Sequence, residues 1–345
     1  MSGQRQAVTA ATPRTPLVFK DQRSWNMAHH FCGKDGFYDE GENPCPECEK
    51  LKGMSARVTA TRRRLRMEIE EAGLGRVAGD LEAMMMPSIR INATVAAEGV
   101  LKPGSSKLGG IPDLPEGGAW PDCNGLPMSL LAQLRLQDVA PLDLDKRLPK
   151  SGMLYFFYNA REQRWGYDPK DRGHWKVIYY NGDLARLQPA ARLDELPEHT
   201  CFRECGVAFT NELTLPSWQS RDVERMNLSE KERDVLIQLL DGPGGEWWVI
   251  HRLLGHPAEI QGDMKLACQL ASHWIYVGNS EGYADPRGAS LEAGADDWQL
   301  LLQIDSDEDG LGTMWGDRGR VYFWIRQQDL KEHDFGNTWL KLQCY

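Results

Sequence analysis

The sequence predicts an α+β fold of mostly antiparallel sheet with few helices, preceded by two helices and a small zinc-knuckle-like head. Three observations carry that expectation. Short apolar runs broken by Gly, Pro, Asp and Asn fill the chain after Pro87, which is the texture of strands between turns. Helical patterning is confined to residues 56–86 and one stretch after Leu228, so strands do not alternate with crossover helices as a parallel sheet requires. Several segments of the first half recur in the same order in the second, which points to an internal duplication.

Residues 1–20 hold Ser, Thr, Ala, Gln and Pro with little to bury, and they read as a disordered leader. They lack the apolar block of a secretory signal. No stretch reaches the ~18 consecutive apolar residues of a membrane span, so a soluble, cytoplasmic protein is expected. Residues 21–52 form the head. The chain has eight cysteines, and clustering of Cys32, Cys45 and Cys48 without a signal peptide favours a metal site over a disulfide framework. Cys45-Pro46-Glu47-Cys48 is a Cys-x-x-Cys knuckle that brings two thiolates to one ion. Cys32 adds a third thiolate, and His30 or His29 supplies a nitrogen. A closed Cys3His set suits structural zinc, and metal binding would provide folding energy that so short a segment cannot obtain from a core.

The domain proper is expected over residues 53–345, with a helical lead-in at 53–87. One helix runs from about Ala56 to Glu71, and a second runs from about Arg76 to just before Pro87. Arg57, Arg62, Arg63, Arg64 and Arg66 make a basic run on the first helix, but Glu68, Glu70 and Glu71 follow it closely enough to pair with it. Strands are expected at IRINATV, LLAQLRL, GMLYFFYN, WKVIYYN, GVAFTNELTL, KLACQLAS, WQLLLQID and RVYFWIR. A helix interrupts them where Ser229 and Glu232 make a capping box before VLIQLL, with Gly242 as its stop. Duplication pairs Leu108–Pro112 with Leu254–Pro257, Leu130–Leu134 with Leu300–Ile304, and Gly152–Tyr158 with Gly319–Ile325. Repeat one spans about 100–180, a connection 181–249, and repeat two about 250–330.

A formal net charge of −10 argues against a nucleic-acid-binding face, which must be basic; it favours steering of basic partners. His251, Arg252, His256, Gln261 and Asp263, followed by Cys268 and His273, concentrate polar groups in one stretch. The two histidines are not spaced as in HExxH, and Pro257 cuts any helix there. Asp305-Ser306-Asp307-Glu308-Asp309-Gly310 opens like a calcium loop, yet the twelfth position is Gly316 rather than a bidentate Glu, so a hairpin connection is the better reading. Trp315 and Asp317 lie beside it. The chain carries no Ser nucleophile elbow, Walker loop or dinucleotide fingerprint.

GGIPDLP with Trp120-Pro121, GMLYFFY, Trp165-Gly166 through DPKDRG, TLPS at 214–217, HRLLGHP at 251–257, IQGDM at 260–264 and WQLLLQIDSD…MWGDRGRVYFWIR ending in LQCY together resemble the YwqG-like family, a bacterial domain-of-unknown-function family. The resemblance covers residues 86–345; the Cys/His head is an addition to it. It implies a duplicated α+β fold and brings no established catalytic residues. The leading expectation is a non-catalytic binding protein with a protein partner, of the regulator or toxin-neutralising immunity type. One alternative is an enzyme or small-ligand binder using a pocket between the repeats, lined from 251–273 and 305–317. Another is a nucleic-acid-associated protein using the zinc head and basic helix.

Overall fold

The computed structural model describes residues 46–241 and 249–345. Cys32, Cys45, His29 and His30 lie outside these residues, and of Cys48 only the helical backbone is described. The lead-in begins earlier than the sequence indicates: one helix runs Pro46–Ile69, with Pro at its first position, where the missing N–H has no partner to lose. A π-helical turn, Glu70–Leu74, kinks at Gly73 (φ 101°), and a short helix, Ala78–Met84, follows. Leu65, Ile69, Leu74 and Leu81 pack with Leu215, Val223 and Leu236 in a core separate from that of the sheet. The basic run is paired: Arg62 donates to the Glu82 and Met85 carbonyls, Arg66 binds Glu70 and Glu82, and Arg64 faces Glu68. No helix among the described residues is long and apolar enough to cross a membrane.

Fourteen strands follow among the described residues. They are β1 (Met86–Val95), β2 (Lys107–Leu108), β3 (Asp113–Leu114), β4 (Asp122–Cys123), β5 (Leu126–Pro127), β6 (Ser129–Arg135) and β7 (Met153–Tyr158), then β8 (Trp175–Tyr180), β9 (Gln188–Pro189), β10 (Cys205–Thr214), β11 (His251–Leu253), β12 (Trp298–Asp305), β13 (Arg320–Arg326) and β14 (Trp339–Gln343). Ten of them make one sheet in the order β14-β13-β12-β11-β1-β10-β2-β6-β7-β8, and its ladders are antiparallel. The expected strand KLACQLAS is instead the helix Lys265–Ser272. Leu266 with Leu270, and Ala267 with Ala271, are four apart, so one helical face is apolar. Ser229 and Glu232 do form the capping box: the Ser229 hydroxyl accepts from Glu232 N at 3.3 Å, and Ser229 N donates to the Glu232 carboxylate at 2.8 Å.

From the central β1–β10 pair the sheet extends as two flanks, β2-β6-β7-β8 and β11-β12-β13-β14. Each flank carries the same local devices. Gln133 accepts from Asp113 N (2.7 Å) and donates to Ser105 O (2.9 Å); Gln303 accepts from Ala258 N (2.9 Å) and donates to Ile250 O (2.8 Å). The hydroxyls of Tyr155 and Tyr322 donate to the carbonyls of Asp113 and Ala258, both at 2.6 Å. Gly109 and Leu254 both adopt left-handed backbone (φ 63° and 58°), and each donates its N–H to the neighbouring strand, at Leu131 O and Leu301 O. The β6–β7 register slips between Leu130 and Ala132, and the β12–β13 register between Leu300 and Leu302.

The sheet curls until its flanks face each other. Phe156 meets Phe323 edge-on at 5.1 Å, and Tyr158 meets Trp315 at 5.8 Å, favourable quadrupolar geometries. The two edges meet as well. Trp175 of β8 stacks edge-on against Trp339 of β14 at 5.1 Å and donates to Thr338 O at 3.1 Å. The loop after β7 covers β14: Leu342 N donates to Trp165 O at 3.1 Å, and the Gly166 carbonyl accepts from Trp339 Nε1 (2.8 Å) and Lys341 Nζ (2.6 Å). Gly166 is required there, because at φ 74° a Cβ would stand 1.8 Å from Leu340 O. An exposed edge that invites foreign strands is thereby covered.

Candidate functional site

β11 is short because its job is local: it inserts His251, Arg252 and Leu253 between β1 and β12. His251 is 2% exposed, and its Nδ1 accepts the N–H of Asp305 at 3.1 Å. That bond assigns the ring proton to Nε2, which faces Asp307 Oδ2 at 3.6 Å. The His251 imidazole, together with the N–H groups of Leu311 and Gly310, outweighs burial and holds the Asp307 carboxylate down to about 2. Antiparallel pairing sets Asp305 opposite Arg320. Asp305 accepts from Arg320 Nε at 3.0 Å and from Ile250 N at 2.8 Å, while burial pushes its pKa upward. Burial also opposes the Arg320 charge, but Asp305 together with Tyr322 and Tyr345 outweighs it and raises the guanidinium.

The stretch expected to open like a calcium loop is a hydrogen-bonded hairpin connection, with Asp307 bridged to Thr313. Its carboxylates at 305 and 307 are taken up by Arg320, His251 and backbone N–H groups. Among the described residues no group of three or more His, Cys, Asp or Glu side chains is placed to hold a metal ion.

The other candidates from the sequence divide among three places. Arg252 and His256 tie the sheet to the lead-in. Arg252 lies 3.0 Å from Glu212, which Arg90 also binds, and it donates to His256 O at 2.9 Å; burial lowers it to about 10. The His256 ring reaches Met84 O at 2.7 Å, and burial lowers it to about 4, so it is neutral at pH 7. Gln261 and Asp263 shape the next loop: Gln261 N donates to the Gln343 side chain, and Asp263 accepts from Lys265 N at the start of the helix. In that helix the Cys268 thiol is pushed by burial up to about 12, and the ring of His273, beyond its end, bonds Gln269 O. Trp315 is fully buried behind Asp305, donating to its carbonyl at 3.2 Å. Asp317 is exposed, and its carbonyl accepts from Tyr345 N.

His251 and Asp305 therefore converge, and the place they support is a cleft of about 260 Å³. Val249, Met314 and Tyr345 form its apolar walls, and Asp305 with Ser306 and Asp307 its floor. Glu308, Asp309 and Arg318 stand at the rim, with Arg320 beneath. Sequence reasoning passed over Arg320, although a charge within the apolar run RVYFWIR was a visible signal. It also passed over Glu259, whose carboxyl is raised by burial to about 8 near Asp263 and Ser217; an acid between two apolar turns gave no pattern to read.

Fold and site together define an α+β domain built on one ten-stranded sheet, whose edge strands β8 and β14 pack against each other, with a charged cleft at one hairpin. The model of a domain of unknown function, DUF1963, matches residues 106–344, and the chain belongs to that family. Comparison with curated proteins gave no match.

Proposed function

We propose that the protein is a non-catalytic binding protein whose cleft beside the β12–β13 turn engages a partner. The observation that carries this reading is the way the cleft's acids are held. Asp307, at about 2, is a fixed charge, whereas a general acid or base works best with a pKa near ambient pH. Asp305 is committed to Arg320 and Ile250 N. Rigid, pre-oriented charge of this kind suits recognition, since little ordering remains to be done on binding. Of the two stretches expected to line a pocket between the repeats, 305–317 contributes Asp305 to Asp309 and Met314 to this cleft, and 251–273 contributes none of its lining.

The finer architecture belongs to the same proposal. The YwqG-like domain is a duplication related by a pseudo-two-fold through the β1–β10 ladder; the paired roles of Gln133 and Gln303, and of Tyr155 and Tyr322, support it. The head is a structural zinc module with Cys32, Cys45, Cys48 and His30 or His29 as ligands, and the protein is cytoplasmic. Affinity capture from bacterial lysate tests the binding reading. A protein retained by the wild type and lost by an equally folded Glu308→Lys/Asp309→Lys variant would be a cleft partner. Identical captures would sink the reading.

A further inference from the structure

We propose that residues 257–262 form a strap latched by a proton on Glu259: the neutral carboxyl lets the strap close on the sheet, and its ionisation opens the strap. The latch does not depend on what the cleft binds. The strap is held to the sheet by side chains. Ala258 N donates to Gln303 Oε1 at 2.9 Å, and Ala258 O accepts from Tyr322 Oη at 2.6 Å and Arg320 Nη1 at 3.1 Å. Ile260 N and Gln261 N donate to Gln343 Oε1 at 2.9 and 3.1 Å, and Gln343 Nε2 donates to Gly262 O at 2.9 Å. Bonds of this kind can open together as a local unit while the strand ladders stay intact.

Glu259 lies in the middle of the strap, where a charge is poorly served. Its Oε2 is buried and makes no hydrogen bond. The Ser217 hydroxyl bonds the carboxyl and accepts from Gln219 N at 3.2 Å. Gln219 Oε1 stands beside the strap, 3.9 Å from where a Cβ on Gly262 would be, and it too is buried without a donor. A neutral carboxyl brings an O–H donor to this place; an ionised one leaves a bare charge out of water. The surrounding charges do not offset that cost. Asp263 faces Glu259 from the same loop, Asp222 from the helix Arg221–Glu224, and Lys265 from the helix Lys265–Ser272. Lys265 also faces Asp222, at 3.9 Å. Tyr322 faces Glu259 from β13, and burial keeps that phenol neutral. His256, which shares Lys265 and Asp222 as neighbours, is neutral as well. Burial first, and then Asp263, raise the Glu259 carboxyl from 4.5 to about 8.

The first flank shows that the fold does not demand an acid here. Leu114 follows Asp113 as Glu259 follows Ala258, and Asp113 and Ala258 take matching glutamine and tyrosine bonds. Leu114 is buried in an apolar cluster. Arg320 connects the strap to the cleft, since it donates from Nε to Asp305 and from Nη1 to Ala258 O. An open strap therefore removes one of the bonds that hold Arg320 beneath the cleft. The sign follows from the raised carboxyl. Closure is fully favoured below pH 4.5 and is lost as pH rises toward 8, by up to about tenfold in the closing constant per pH unit.

Native-state hydrogen exchange of the full-length protein tests the latch, read by mass spectrometry from pH 5 to 8 and normalised to intrinsic exchange rates. Peptides spanning the strap should be less protected than the β12–β13 ladder, and their protection should fall at least about tenfold over that range. In Glu259→Gln the strap's protection should stay level and exceed that of wild type at pH 8. Glu259→Leu repeats the measurement with the side chain used by the first flank, so a fold lost in one variant leaves the other to decide. A level wild-type profile overturns the latch, as does a slope that persists in the variants. Strap protection equal to that of the ladder at every pH also overturns it, because the strap would then open only with the whole domain.

Discussion

Replacing Lys341 by Met should change how stability depends on pH in a direction fixed by burial. Lys341 is fully buried on β14, donates to Gly166 O at 2.6 Å, and lies 4.1 Å from the centre of the Tyr167 ring. Burial lowers its pKa to about 8, against the opposing influence of Cys268 and Asp171. The unfolded chain, with an ordinary lysine near 10.5, therefore takes up the proton more readily than the folded one. Below about pH 8 the folded state carries the whole penalty, about 3 kcal/mol at 1.36 kcal/mol per pKa unit. Between about 8 and 10.5 that penalty disappears, so wild-type stability rises relative to the variant. Met fills a similar volume, and Gly166 O keeps its bond from Trp339 Nε1 at 2.8 Å. The absolute offset also contains the lost lysine hydrogen bond and cation–π contact, so the pH slope is the readout. Urea titrations of both proteins at half-unit steps from pH 7 to 10.5 measure it, and subtraction cancels other titrating groups. A flat difference, or a wild type that loses ground as pH rises, would refute the argument that desolvation dominates at this lysine.

Other outcomes follow from the same geometry. Gln133→Leu and Gln303→Leu should each cost about 2–4 kcal/mol, because each strands a buried N–H and a buried carbonyl; similar shifts in urea midpoint are expected, and a negligible effect at either site would contradict the matched roles. Gly166→Ala should destabilise by at least about 3 kcal/mol, combining a left-handed backbone with a clash at Leu340 O, and a thermal melt near that of the wild type would show that the loop can move aside. His256 has a folded pKa of about 4, below its ordinary 6.5, so its contribution is present above pH 6.5 and lost as pH falls through 4. Relative to His256→Gln, wild type should lose about 3 kcal/mol over that window; parallel acid denaturation curves would contradict this. Purified protein should carry about one zinc per chain, and metal analysis giving equal zinc in wild type and Cys45→Ser/Cys48→Ser would remove the proposed head.

Strands such as LLAQLRL and RVYFWIR, and the Ser229 capping box, were legible in the sequence because they depend on neighbours within a few residues. KLACQLAS was misread because a short apolar run satisfies strand and helix alike; its packing as the helix Lys265–Ser272 decided the matter. The candidate site was half legible. His251 and Asp305 stand out as polar residues beside strands, but their meeting depends on the β11–β12 register, and the Arg320 partnership on the β12–β13 register.

Apart from short apolar runs such as KLACQLAS, the amino-acid sequence by itself determined which segments extend, which coil, and which polar residues interrupt apolar runs, since these follow from side-chain period and turn chemistry. Tertiary structure alone decided that the sheet curls until Trp175 meets Trp339, that Gly166 caps the β14 edge, and that four acids and two arginines line one cleft. The physical reason is range. Local propensities act over a turn or a strand. Closure of the edges and assembly of the cleft instead depend on ladder registers and sheet curvature that join residues far apart in the chain.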